Sequence, residues 1–219
     1  MFKILNDITL ININSINPKL AVDVLNFCSK LLKFNKTILF SNNVPENITS
    51  NINHIPVKIN SLSDYNEFIL KKLNDYVQTS HCLVVQNDGF IINPHLWQDE
   101  FLKYDYIGAP WNLNGMRVWK RTNRIGNGGF SLRSKNLLSY TQKITNFDYN
   151  QPEDVVNSLI IENNEEFNYP TVQEAVKFSL EDPLEDFPYD FNTCFGFHGK
   201  YAYNNLLKLC PNVLSIKKL

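Results

Sequence analysis

Three short groups of polar residues in this sequence have types and spacings that can do chemistry. The first is Gln86-Asn87-Asp88-Gly89, which closes the apolar run 82–85. A carboxylate at the end of a buried strand can bind a hard divalent cation, which takes oxygen ligands and shares them with phosphates. Asp-Gly is also a common turn pair, so the tetrapeptide by itself fits both uses. The second group is Pro152-Glu153-Asp154. Acids in a first helical turn are favoured by the macrodipole, and the same dipole helps keep a carboxylate ionised, as a general base requires. The third is His198, between Phe197 and Gly199. A histidine beside aromatics is more often a core residue than a ligand, although nearby glycines permit close backbone approach to a ligand. Gly126-Asn127-Gly128-Gly129 is too short for a dinucleotide fingerprint and lacks a Walker lysine. Neither a Gly-x-Ser-x-Gly elbow nor a His-Glu-x-x-His zinc motif occurs.

The elements that must position these groups are legible from periodicity. Residues 8–13, 37–40, 55–59 and 82–85 are short β-branched or apolar runs bounded by Asn, Ser and Pro, and they predict four strands. Residues 19–34 repeat apolar side chains at helical spacing behind Pro18. Ser63 predicts the cap of a helix whose apolar face is Tyr65, Phe68, Ile69, Leu73 and Tyr76. Alternating strands and helices imply right-handed crossovers and a mostly parallel central sheet with helices on both faces, an α/β fold. Ligands in such folds sit beyond the carboxyl ends of the strands, where residues 86–89 fall. Further on, Asn93-Pro94 opens a helix through Trp97 and Phe101, residues 113–125 form a basic loop, and 126–133 turn into a strand. Ser134, Pro152 and Gln173 start three more helices, and a short one follows Gly199.

The 219 residues fit a single domain. Basic and acidic side chains balance at 21 against 22, which argues against non-specific nucleic-acid binding and against an electrostatic membrane-surface protein. No run approaches a membrane span, and residues 1–7 carry no apolar leader, so a cytoplasmic location is expected. Cys28, Cys82, Cys194 and Cys210 are scattered without zinc spacing and read as reduced thiols. The excess of Asn, about thirty residues, reflects AT-rich codons rather than function.

In their order along the chain, these groups are far more specific than any one of them. A strand-end acid, a Gly-Gly-Phe-Ser segment, Glu-Asp at a helix start and a late His in a Phe/Gly setting resemble the GT-A glycosyltransferases. The likeness is strongest to inverting members such as the Fringe-like and β-1,3-glycosyltransferase families. More narrowly, the chain resembles the family called DUF5672. The stretches that carry this are 65–68, 85–90, 105–111, 126–133, 152–155, 178–181 and 195–199. The resemblance implies a single GT-A (Rossmann-like) domain, with a donor-binding half of about 1–92 and an acceptor or catalytic half of about 93–219, that transfers a sugar, with inversion, from a nucleotide-diphosphate donor to the hydroxyl of a glycan or other acceptor. Asp154 falls on the catalytic base of that family, and Asp88 with His198 falls on its Mn2+ or Mg2+ site. Gln86 stands where many relatives have a first Asp, so one negative charge is missing from the metal motif.

Around these positions, Gln86, Asn87, Gly128, Gly129 and Arg124 are expected on the donor, with the glycine N–H groups approaching the sugar. Arg121 and Arg133 are alternative phosphate contacts. Trp111 can stack on a sugar ring or sit in the core, and Glu153 can bond the acceptor or cap its helix. Two rival readings are a non-catalytic nucleotide-sugar-binding module, which Gln86 favours, and a metal-dependent nucleotidyltransferase, which would want more carboxylates or a lysine loop.

Overall fold

A computed structural model of the chain describes residues 3–112 and 124–209. Strand β1 (Ile4–Ile13) leads into helix α1 (Pro18–Leu31). Asn17 caps this helix by accepting the Leu20 N–H, and Pro18 occupies the first turn, where no N–H is needed. Strands β2 (Lys33–Ser41) and β3 (Asn53–Pro56) follow, then a short helix α2 (Leu62–Glu67) and β4 (His81–Val85). The remaining elements are β5 (Phe90–Ile91), β6 (Tyr106–Ile107), β7 (Phe130–Ser134), α3 (Lys135–Lys143), α4 (Glu153–Glu162), α5 (Val172–Phe178), β8 (Ser179–Leu180), β9 (Gly196–Phe197) and α6 (Lys200–Leu209).

The main sheet runs in the order β3-β2-β1-β4-β7-β6. Its first four strands are parallel, while β7 is antiparallel to both β4 and β6. The sheet is therefore mostly parallel, as the alternating pattern requires. Both of its faces are buried, and the residues alternate between two cores as a strand period of two demands. Leu10, Leu39 and Leu83 pack with Ala21, Val24, Leu25 and Cys28 of α1 on one face. Ile11, Ile38, Phe40 and Val84 pack with Phe68, Ile69 and Leu73 on the other. A second, three-stranded sheet, β5-β9-β8, carries the aromatic part of the first core, where Phe90, Phe195 and Phe197 are fully buried.

Two local expectations are corrected. The helix predicted from Ser63 starts earlier, because Ser61 and Asp64 form a reciprocal capping box. It also loosens after Glu67 into a π-helical turn, Phe68–Lys72, and then a 3-10 turn, Leu73–Tyr76, so the three consecutive residues Phe68, Ile69 and Leu70 are all buried. The helix expected from Asn93 is instead two 3-10 turns, Pro94–Leu96 and Asp99–Lys103. Cys28, Cys82 and Cys194 are free and buried, and burial pushes each thiol up to about 12. Cys210 and most of the basic loop, with Arg121, lie outside the described residues. Among the described residues no helix is long and apolar enough to cross a membrane.

Candidate functional site

The antiparallel pairing of β7 with β4 explains how distant residues meet. Val85 pairs with Phe130, so the residues that follow β4 and those that precede β7 lie at the same end of the sheet. The Gln86 N–H donates to Gly129 O at 2.7 Å and extends that ladder into the site. A cavity of about 620 Å³ opens here, lined by the ends of β1 and β2 at Ile13 and Asn42, by Asn60 and Tyr65, and by Gln86 and Asn87 up to Asp88. This is where an open α/β sheet takes its ligands. Among the described residues that line the cavity, Asp88 alone is charged, and the other polar groups are amides and hydroxyls. Ile16 and Leu62 line it as well, and they stay 98 % and 64 % exposed, leaving two apolar side chains at its surface.

Behind Gln86 and Asp88 of the cavity lining, His198 is held from several sides. Its Nδ1 donates to Glu181 Oε1 at 3.1 Å, and its Nε2 faces Gln86 Oε1 at 3.1 Å and Asp88 Oδ1 at 3.4 Å. The amide of Gln86 is oriented by its other end, which donates from Nε2 to the Tyr65 hydroxyl at 3.0 Å. Every partner of the ring is an acceptor, so the ring carries protons on both nitrogens. Burial opposes that charge, but the hydrogen bonds and charges of Asp88 and Glu181 outweigh it and raise His198 to about 9. Burial likewise opposes the Asp88 charge, and His198 overcomes it, holding that carboxyl below its usual range.

On the other side of the glycine turn stands Asp154, half-buried at the start of α4. Its Oδ2 accepts the Gly128 N–H at 3.2 Å and its Oδ1 the Val155 N–H at 2.7 Å. Desolvation, with the neighbouring charge of Glu153, raises this carboxyl to about 7 against the pull of those N–H groups and of Arg133. A carboxylate poised near neutrality is what general-base work at neutral pH asks for.

The glycines make this juxtaposition possible. A Cβ on Gly129 would lie 1.9 Å from His198 Nε2, and one on Gly128 would lie 2.9 Å from Asp154 Cβ. Gly129→Ala is therefore expected to drive the imidazole out of its place and lower the melting temperature, at a cost of about 1–3 kcal/mol. Thermal unfolding checks this, and an unchanged melting temperature would contradict the packing described here.

Several sequence expectations need correction. The Gly128 and Gly129 N–H groups are taken by Asp154 Oδ2 and Asn127 Oδ1, so they are not directed at a sugar; the glycines make room for Asp154 and His198 instead. Glu153 does not reach an acceptor. It is 3 % exposed, and its two oxygens bind Arg133 at 2.6 and 2.8 Å, with Asn157 donating to one of them at 3.0 Å. Arg133 is fully buried and pairs with Glu153, so it is no phosphate contact. Arg124 is engaged with Asp186 at 2.7 Å and with the Trp111 carbonyl at 3.3 Å. Trp111 lies over Gly126, where a Cβ would come within 2.1 Å of its ring. Asn87 faces the cavity and donates from Nδ2 to Asn17 O at 3.1 Å.

Among the described residues no three His, Cys, Asp or Glu side chains are grouped to hold a cation by themselves. Asp88 and His198 Nε2 do converge, with Gln86 Oε1 beside them, and this oxygen and imidazole donor set suits Mn2+ or Mg2+ if a ligand's own oxygens complete the shell. Glu181 on Nδ1 is the outer partner that a ligating imidazole usually has. The residues present thus fit a cation held jointly with a phosphate-bearing ligand. Glu181 and Asn127 are the site residues that sequence reasoning assigned no role; Glu181 was visible only as the last residue of the stretch 178–181.

Comparison with known proteins bears on the fold and the family. Residues 49–198, about two thirds of the chain, match the family described as protein of unknown function, DUF5672. No curated protein matches the sequence. Among solved structures, an active-site mutant of LgtC is similar over 93 % of this chain and 95 % of its own, at 12 % identity and a TM-score of 0.54. A complex of the galactosyltransferase LgtC with donor and acceptor sugar analogs aligns over 69 % and 70 % at 12 % identity, TM-score 0.45. The glycosyltransferase GlyE of Streptococcus pneumoniae TIGR4 aligns over 71 % and 43 % at 11 % identity, TM-score 0.45. The fold is thus the one LgtC has, a GT-A-like α/β domain, and the chain belongs to the DUF5672 family.

Proposed function

We propose that the protein is an inverting glycosyltransferase. It moves a sugar from a nucleoside-diphosphate donor to an acceptor hydroxyl, with Asp154 as general base and Asp88 and His198 as the holders of Mn2+ or Mg2+. One observation carries this reading: two consecutive glycines bring Asp154 against one residue and the His198–Asp88 pair against the next. A proton acceptor and the pair that would handle the phosphates thus stand against neighbouring glycines, beside a cavity at the carboxyl ends of the strands whose lining includes Asp88.

The nucleoside occupies the cavity of amides and hydroxyls, between the exposed side chains of Ile16 and Leu62. Asp88, His198 Nε2 and Gln86 Oε1 are the residues that would hold a divalent cation, which would supply Lewis-acid neutralisation of the departing diphosphate. To ligate it through Nε2, His198 would give up the proton on that nitrogen. Asp154 accepts the proton of the acceptor hydroxyl as that oxygen bonds to the anomeric carbon; the bond to the diphosphate breaks and the nucleoside diphosphate leaves with its electron pair. Arg133 and Glu153 support this base from beneath, through the Gly128 carbonyl and the start of α4.

A thermal-shift panel of nucleotide sugars with and without Mn2+ tests the reading. A donor at a hundred times its Kd adds about 2.7 kcal/mol to stability, a rise of roughly 5–11 °C for a chain of this size. The donor so found is then followed by NMR, which is expected to show chelator-sensitive release of nucleoside diphosphate and a product of inverted configuration. If no nucleotide sugar stabilises the protein the proposal fails. Binding without turnover would favour a binding module, in line with the missing first carboxylate at Gln86, and a retained configuration would remove the base role from Asp154.

A further inference from the structure

The structure assigns Asn66 a part in the proposed reaction: it is the positioning residue that caps α4 from outside that helix and so fixes where Asp154 stands. The assignment rests on the proposed function for its purpose but not for its geometry. Helix α4 begins without a side-chain cap of its own, because its N-cap residue is Pro152. The N–H groups of a first helical turn have no partner within the helix and need one from elsewhere. Asn66, 87 residues earlier in the chain, supplies it. Its Oδ1 accepts the Glu153 N–H at 3.3 Å, and its Nδ2 donates to the carbonyls of Tyr149 at 2.9 Å and Gln151 at 3.0 Å. One amide therefore grips the chain on both sides of Pro152. With an N–H facing one end and two carbonyls the other, it fits in a single orientation. Asn66 is 1 % exposed.

The position of Asn66 in the fold gives the cap its meaning. It lies on α2, whose own start is fixed by the capping box of Ser61 and Asp64. Tyr65, the residue before it, lines the cavity, and its hydroxyl accepts from Gln86 Nε2 at 3.0 Å. Consecutive residues of one helix thus hold the two sides of the site: Tyr65 the loop after β4, Asn66 the start of α4. Asp154 follows Glu153, so the bond from Asn66 falls one peptide away from the base. Held there, Asp154 keeps its oxygens on the Gly128 and Val155 N–H groups and stays half-buried. A helix start that frays lets water reach this carboxyl. Burial is the main cause that raises it to about 7, so a carboxyl returned to water ionises nearer its ordinary 3.8. The charged groups beside it, Glu153 and Arg133, keep each other as partners.

The probe is Asn66→Ala, which deletes all three bonds, followed by Pro152→Ser, which gives α4 a cap by another route. Residue 152 is exposed, with φ −55° and ψ 136°, and a serine there can accept the N–H of the second or third helical residue. Such a cap replaces what Asn66 does for α4 and none of its packing.

Asp154 is followed by 13C NMR of its side-chain carboxyl through a pH titration of the free protein. Its signal is the one absent from Asp154→Asn. The wild-type midpoint of about 7 should fall by about one unit or more in Asn66→Ala and return most of the way in the double variant. On the nucleotide sugar that the thermal-shift panel selects, kcat should fall about 10–100-fold at an unchanged KM for the donor, and recover likewise. In the wild type the Glu153 amide should exchange with solvent as slowly as amides inside α4, a measurement that needs no variant to fold. Fast exchange at Glu153, an unmoved midpoint in Asn66→Ala, or a shift that Pro152→Ser leaves in place overturns the role of Asn66. If the midpoints move and recover but no nucleotide sugar is turned over, Asn66 remains the cap of α4 and the glycosyltransferase reading falls instead.

Discussion

Asp154→Asn is expected to lower the transfer rate by about 10²–10⁴-fold, the usual worth of a general base, while leaving donor affinity unchanged. The amide keeps the size of the carboxylate and an oxygen for the Gly128 N–H, so the glycine turn is retained. The wild-type rate should rise with pH and level off above about 7, where Asp154 ionises, and that limb should be missing from the residual activity of the variant. Stability moves the opposite way. Burial raises the folded pKa of Asp154 from an ordinary 3.8 to about 7, so between those values the folded state holds a proton that the unfolded state has lost. Its contribution to stability is thus present at acid pH and declines as pH rises through that window. Asp154→Asn should consequently melt higher than the wild type at pH 8, by a margin that narrows as pH falls and closes only below about 3.8. A variant that retains near-normal turnover would remove the base assignment, and one destabilised at pH 8 would contradict the strained carboxylate.

Arg133→Met is expected to be the most damaging change to the fold itself. The guanidinium is fully buried on β7, bidentate to Glu153 at 2.6 and 2.8 Å, with a further bond to Gly128 O at 3.3 Å and the Tyr106 ring 5.3 Å away. Removing it strands the Glu153 carboxylate in the interior, which costs about 3–5 kcal/mol. At roughly 2–4 °C per kcal/mol for a chain this long, the melting temperature should drop by roughly 6–20 °C. The double variant Arg133→Met with Glu153→Leu should recover much of that loss, since well-packed apolar pairs often replace buried ion pairs at little cost. Equal damage in the single and double variants would mean that the guanidinium acts through something other than Glu153.

The parallel strands were legible because they are buried on both faces. Ile8, Leu10, Ile11 and Ile13 of β1 are all in contact with one core or the other, and the sequence shows this as a run rather than an alternation. Asp88, Asp154 and His198 were legible from their order along the chain, and the structure brings them around one turn. The reversal at β7 was not, because the polarity of a strand depends on its partner and leaves no mark in 130–134. Nor was the pairing of Arg133 with Glu153. In sequence one reads as a basic residue near a loop and the other as a helix-start acid, and only the closure of β7 onto α4 makes them a buried pair. Residue 181 is a glutamate just after a two-residue strand, a position without periodicity or motif, so its bonds to His198 and Asn127 emerge only in three dimensions.

The order of strands in the small sheet has a consequence for how the chain is made. Its middle strand, β9, is the last of the three in sequence, and β5 and β8 each pair with it rather than with one another. During synthesis β5 and β8 leave the ribosome before the strand that unites them, and His198 follows β9 directly. The four parallel strands of the large sheet can assemble early, while Phe90, Phe178 and the residues around them wait for residues 195–197 to cover them. A nascent chain thus acquires its large sheet before its chemistry, and the step that packs Phe197 on Phe90 and Phe195 on Phe178 is the one that delivers the imidazole.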